Sequence, residues 1–155
     1  MIFNYFVEKL FKKMNENIVK KAFDFCIKNK HRYTEPRKKV LQIIAESPKP
    51  LKAYEILKKL GKVLNNPKPP TAYRAIEFWH NKNFIHRIES LNAYSICEAG
   101  HFHKGSQFMI CRTCGDVTES HICKLPQVIK QSTNKVSFKT LSWNIEINGI
   151  CNKCN

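Results

Sequence analysis

Two cysteine pairs, Cys111-Arg-Thr-Cys114 and Cys151-Asn-Lys-Cys154, bracket 36 residues near the end of the chain and limit what that segment can become. Four thiolates are the donor set of a closed tetrahedral zinc site, one with no open position for water and therefore structural. The gap exceeds the spacing of an ordinary zinc ribbon, so the pairs must enclose a small subdomain and tie its first strand to its last. Ser106 to Ile110 reads as the strand leading into the first pair, and Leu125 to Val136 as a helix begun near Pro126. Leu141, Trp143, Ile145 and Ile147 alternate as a half-buried strand, which makes the segment an α/β module. So small a unit has a thin core, and zinc worth about 10–16 kcal/mol in comparable peptides decides whether it folds. A redox role for either pair is disfavoured, because no thioredoxin-like context surrounds it.

The chain has 155 residues and seven cysteines, and its opening MIFNYFVEKLFKK has too short an apolar run for a signal peptide or a membrane span. A reducing, cytoplasmic location without membrane association is expected, where paired cysteines hold metal rather than form disulfides. Residues 1–14 read as an N-terminal extension, with Met14 an alternative start.

Net charge is +15, and its distribution is uneven. Met1 to Asn92 carries 20 Lys and Arg against 8 acids, whereas Ala93 to Asn155 carries 7 against 4. A polyanion is the natural partner of the front half, nucleic acid being the commonest for a folded basic domain.

The helical periodicity of that half supports the same reading. Ile18, Val19, Ala22, Phe23 and Cys26 form one stripe between Asn15 and Lys30. Thr34 offers an N-cap, with Glu35 and Pro36 in the first turn of a helix running through Val40, Leu41 and Ile44 until Ser47-Pro-Lys-Pro breaks it. Ala53, Ile56, Leu57 and Leu60 form the inner face of a third helix, and Gly61 is a plausible stop. A fourth opens after Asn65-Asn-Pro-Lys-Pro-Pro70; its Ala72, Ala75, Ile76 and Trp79 cluster on one side, while Arg74, Glu77 and Asn81 point the other way. Short helices followed by a two-stranded ribbon spell a winged helix, whose last helix enters the major groove. Arg74 is the candidate for a bidentate guanine contact, and Tyr54, Lys68, Thr71 and Tyr73 for phosphate or thymine-methyl contacts. A purely packing helix with a solvated charged face is the competing reading.

Phe84 to Glu89 and Tyr94 to Cys97 read as the ribbon, with a turn centred between Leu91 and Asn92. That centre places His86 directly opposite Cys97, and Cβ atoms of opposed residues lie about 4.5–5.5 Å apart, so imidazole and thiolate can share an ion. His31, His80 and His121 read as surface or packing residues, Cys26 as a buried hydrophobe, and Cys123 has no assignment.

The order TEPRKKVLQII, AYEIL, PPTAYRAIEFW, FIHRIESLNAYSIC, a histidine cluster, FMICRTCGDVTE and a terminal CNKC resembles the ferric uptake regulator superfamily from about Ile18 to Cys154. Within it, the PPTxYRA helix start, the HxxESxNxY hairpin, the return-strand cysteine and the FxIC knuckle are most similar to the zinc uptake regulator branch. The resemblance implies an α+β chain: a winged-helix DNA-binding domain over 15–96, then a zinc-stapled α/β dimerisation domain over 97–155. It implies a second, regulatory zinc on His86, Cys97, His103 and Glu119, hence two ions per chain. It also implies a homodimer that binds a palindromic double-stranded operator and represses zinc uptake genes when zinc is replete.

The residues bear on that second site only in part. Glu119 stands five positions beyond Cys114, and mixed N, S and O donors suit borderline-soft zinc. In Glu98-Ala-Gly-His101-Phe-His103-Lys either histidine can reach an ion; His103 is preferred. An iron, nickel or peroxide sensor on the same scaffold is disfavoured by the Cys97 thiolate, and a non-sensory zinc-ribbon nucleic-acid-binding protein is the other alternative. No enzyme or small-molecule substrate is expected, since neither HExxH nor a deaminase HxE with PCxxC occurs.

Overall fold

A computed structural model describes residues 17–97, 105–120, 122 and 124–155. The chain divides into two compact units, Met1–Gly100 and His101–Asn155. In the first unit the order is helix α1 (17–28), α2 (Glu35–Ala45), β1 (Leu51–Lys52), α3 (Ala53–Val63), α4 (Pro69–Asn81), β2 (Ile85–Ile88) and β3 (Ala93–Ile96). The second contains β4 (Gly105–Cys111), β5 (Val117–Ser120), α5 (Gln127–Lys135) and β6 (Trp143–Gly149).

In α1 the apolar stripe is narrower than the sequence suggests. Ala22 and Cys26 are fully buried, but Phe23 stays half exposed, edge-on to Tyr33, while Phe25 packs inward against Phe84. Lys30 closes the helix in the left-handed region at φ +55°, and the His31 N–H bonds the Cys26 carbonyl at 2.8 Å. Helix α2 carries Pro36 in its first turn and buries Val40, Leu41, Ile43, Ile44 and Ala45. Before α3, the Lys52 N–H is satisfied by the Glu55 carboxylate at 2.7 Å. Gly61 does not end this helix, which continues to Val63. A glycine inside a helix costs about 1 kcal/mol, and here Leu60 is buried and Leu64 packs on the core while its N–H bonds the Leu60 carbonyl, so packing outweighs propensity.

Helix α4 opens with two prolines, whose missing N–H groups fall where no helical acceptor exists. Ala72, Ala75, Ile76 and Trp79 are its buried face, as the periodicity requires. Trp79 has no exposed surface and centres a ring cluster: Phe84 at 5.0 Å, Phe78 at 4.9 Å and Tyr33 at 6.1 Å, all edge-on.

The three-stranded sheet β1-β3-β2 is antiparallel. Its register corrects the expected hairpin: Ile85 pairs with Ile96, His86 with Ser95 and Ile88 with Ala93, so His86 is not directly opposite Cys97. The turn explains the shift. Asn92 takes a left-handed conformation (φ +46°), its N–H bonds the Glu89 carbonyl and its side chain accepts from Arg87, which makes the loop Glu89 to Asn92 and moves the centre one residue back. A one-residue move of the centre displaces each partner by two positions. Cys97 therefore remains on the same face as His86, as a diagonal neighbour, and its N–H extends the ladder to Phe84.

In the second unit β4 is central, antiparallel to β5 and parallel to β6. Phe108, Ile110 and Cys111 supply its buried apolar side chains. The last strand starts at Trp143, leaving Leu141 outside it, and Ile147 is half exposed, so the expected alternation holds only for Trp143 and Ile145. Helix α5 buries none of its residues.

Gly105 pairs with Trp143 across the parallel ladder, and a Cβ there would overlap the indole ring. Glycine is needed for that approach. Gly105→Ala is expected to lower unfolding stability by about 1–3 kcal/mol, read from thermal melts, with partial recovery when Trp143→Leu is added.

Candidate metal centre and nucleic-acid face

The parallel pairing of β4 with β6 brings Cys111 opposite Gly149, and the Arg112 N–H bonds the Gly149 carbonyl at 2.9 Å. Each CxxC pair then turns sharply. In the first, the Gly115 N–H bonds the Cys111 carbonyl with Gly115 at φ +72°; in the second, the Cys154 N–H bonds the Cys151 carbonyl. The four sulfurs of Cys111, Cys114, Cys151 and Cys154 consequently lie within 4.8 Å of one another, with Cys114 and Cys151 at 3.7 Å. Zn–S bonds of about 2.3 Å in a tetrahedron place sulfurs about 3.8 Å apart, whereas a disulfide needs about 2.05 Å. The cluster has metal spacing, and none of the four cysteines forms a disulfide.

Its electrostatics fit a cation. Backbone N–H groups of Cys114 and Cys151 hold the Cys111 thiol down to about 6. Cys154 is pushed up to about 12 by hydrogen bonding with the Cys151 and Cys114 sulfurs. Cys114 accepts from the Asp116 N–H, which favours its thiolate, yet sharing hydrogen bonds with Cys111 and Cys151 leaves it raised. Packing four thiolates together without a cation is unfavourable, and a divalent ion removes that penalty.

On the hairpin, His86 and Cys97 are both buried and their ligand atoms lie within 4.8 Å. Two ligands of one tetrahedral zinc stand about 3.5–4 Å apart, so the pair fits a shared ion. Glu119 is half-buried on β5 of the second unit, paired with Phe108. His101, His103, His121 and Cys123 lie outside the described residues. His80 closes α4, and its pKa is lowered by burial and then by the charge of His86. His31 packs between Phe25 and Phe78.

The outward side of α4 presents Tyr73, half exposed, and Arg74, Glu77 and Asn81, all exposed. Lys68 caps the helix and is exposed, Thr71 is partly buried with its N–H bonded to the Lys68 carbonyl, and Tyr54 is 62% exposed on α3. All five sequence candidates for nucleic-acid contact thus retain accessible surface on the first unit.

The Ferric uptake regulator family model matches residues 28–148. The chain belongs to the ferric uptake regulator family. Among its relatives, the Zinc uptake regulation protein of Escherichia coli (strain K12) is 29% identical over 145 residues, covering 92% of this chain and 84% of that protein. A solved zinc uptake regulator complexed with zinc and DNA superposes with a TM-score of 0.82 at 30% identity, covering 90% of this chain and 94% of that one. The structure of holo XcZur gives 0.76 at 31% identity, covering 89% and 96%.

For this member of the family, the sequence alone did not single out Arg37 or the ring cluster around Trp79. The rings sit at element ends, Phe25, His31, Phe78 and Phe84, where no periodicity groups them.

Zinc added to chelator-stripped protein at neutral pH is expected to release protons, since Cys114 and Cys154 are raised and must ionise to ligate. Affinity should fall as pH is lowered. Cys111→Ser is expected to abolish cooperative melting of the second unit in the far-ultraviolet signal; an unchanged melt and unchanged zinc content would rule out the staple.

Proposed function

We propose that this chain is a zinc-responsive repressor of zinc uptake genes, binding a palindromic duplex operator as a homodimer when a regulatory zinc site is filled. The observation that carries the reading is the buried imidazole and thiol of His86 and Cys97, brought together on the hairpin of a winged-helix unit whose α4 presents Tyr73 and Arg74 outward. The similarity to a zinc uptake regulator solved with zinc and DNA supports it.

In this reading Cys111, Cys114, Cys151 and Cys154 hold a structural zinc, and His86, Cys97, Glu119 and His103 the regulatory one. A thiolate among nitrogen and oxygen donors favours zinc over the harder ligand sets of iron or manganese. When bound, the regulatory ion would be held by the His86 and His103 imidazoles, the Cys97 thiolate and the Glu119 carboxylate, and would supply a cross-link that the free side chains lack. Those side chains restrict how α4 is presented, and operator affinity and metal affinity become reciprocally coupled. Arg74 reads guanine, with Tyr54, Lys68, Thr71 and Tyr73 on phosphate or thymine methyl groups.

The second unit supports the dimer. Val136, Phe138, Leu141 and Ile150 are each more than 60% exposed, and β6 lies at the edge of its sheet. Exposed apolar side chains together with an open strand edge suit a second copy of the same unit. Reciprocal Arg74 helices then meet half-sites about one helical turn of DNA apart, or a multiple of it.

Purified zinc-saturated protein is expected to hold two ions per chain, and Cys97→Ser one. Operator affinity with excess zinc should exceed that of protein filled only at the thiolate cluster by about fivefold or more, and Cys97→Ser should remove the difference. Equal affinities reject the reading. Arg74→Ala should cost about 1–3 kcal/mol on the preferred duplex and relax specificity at one base position, measured by competition with substituted duplexes.

A further inference from the structure

Arg37, in the first turn of α2, has contacts that converge on the far half of α4. Its guanidinium carbon lies 3.5 Å from the centre of the Phe78 ring. The same group donates through Nη1 to the Arg32 carbonyl in the loop between α1 and α2. Its own carbonyl accepts the indole N–H of Trp79 at 2.8 Å. One residue therefore holds two consecutive aromatic side chains of α4, one through its side chain and one through its backbone.

The buried face of α4 makes such a clamp necessary. Apart from Ile76 and Trp79 it consists of Ala72 and Ala75, whose small side chains let the helix approach closely but resist rolling about its axis only weakly. A planar cation laid on a ring and a directed indole hydrogen bond both fix orientation, which apolar contact alone does not. Phe78 stands one turn beyond Arg74 on the same row of the helix, so whatever fixes Phe78 also fixes the direction of Arg74. A roll of about 10–20° already spoils a bidentate contact.

We propose that Arg37 is a positioning residue for the nucleic-acid-reading helix, setting the aim of Tyr73 and Arg74 through its stack on Phe78. This rests on the DNA-binding reading above. The rival role is direct contact of the Arg37 guanidinium with a phosphate, and the two differ in salt dependence. A phosphate contact contributes about one unit to the slope of log affinity against log salt, whereas a residue acting through another contributes none.

The experiment uses full-length, zinc-loaded protein and a duplex selected by the wild type from a random-sequence pool. Arg37→Lys keeps the charge but loses the planar stack, and Phe78→Leu removes the ring. Both are expected to bind about fivefold or more weakly with an unchanged salt slope, and the double variant no more weakly than either single one. Retained affinity in Arg37→Lys, or a salt slope reduced by about one in Arg37→Gln, overturns the proposal in favour of phosphate contact. Hydrogen exchange of α4 amides without DNA gives a second readout: faster exchange over residues 69–81 in Arg37→Lys is expected, and unchanged exchange overturns the clamp. Failure of the wild type to select any duplex counts against the DNA-binding reading and leaves the exchange measurement to decide the clamp.

Discussion

Among its described residues, the second unit has little besides its four-cysteine cluster to hold it together. Phe108, Ile110 and Cys111 are the buried apolar side chains among those residues, and α5 contributes none. A three-stranded sheet with one helix that buries nothing has no margin against the conformational entropy of its ordered residues. The parallel β4–β6 ladder and the cluster are therefore one device: the register brings Cys111 and Cys151 close enough for the Cys151 N–H to reach the Cys111 sulfur at 3.3 Å, and an ion bound there would keep the register from slipping. The same device explains why Gly105 opposes Trp143 at the other end of the ladder. With both ends fixed, the largest side chain of β6 must fit against backbone, and glycine admits it.

The first unit has the opposite character. Its core is continuous, from Ala22 and Cys26 on α1 through α2 to Trp79 on α4 and Ile85 on β2, and it closes through side-chain packing. The regulatory site proposed on its hairpin would therefore be free to fill or empty without unfolding the unit that carries it. The proposed regulator needs such a separation, since its structural site would have to stay loaded when its regulatory site empties.

Much of this was readable from the sequence. The buried face of α4 follows from period 3.6 alone, and the CxxC pairs carried both the donor set and the demand for a bracketed subdomain. The hairpin register was misplaced because a left-handed Asn92 is a property of the turn, not of the strand pattern; two positions of error left the face of Cys97 intact, since the alternation of a strand has period two. Gly61 misled for a different reason. Its helix-stopping tendency is worth about 1 kcal/mol, less than the packing of Leu60 and Leu64 on either side. Arg37 left no signal, because a cation over a ring 41 positions later belongs to tertiary structure.

Charge and geometry have different tasks in the proposed regulator. The 20 Lys and Arg residues before Ala93, against 8 acids, attract any polyanion whether or not a metal is bound. One divalent ion changes that total little, and part of its charge is offset by the Cys97 thiolate and the Glu119 carboxylate that would hold it. A zinc response built on net charge would therefore be slight. A response of about 1–3 kcal/mol, typical of coupled sites, has to come from where the reading helices point. It follows that the zinc-dependent part of operator affinity should be nearly independent of salt while the total falls steeply with it, because the first is a matter of aim and the second of counterion release.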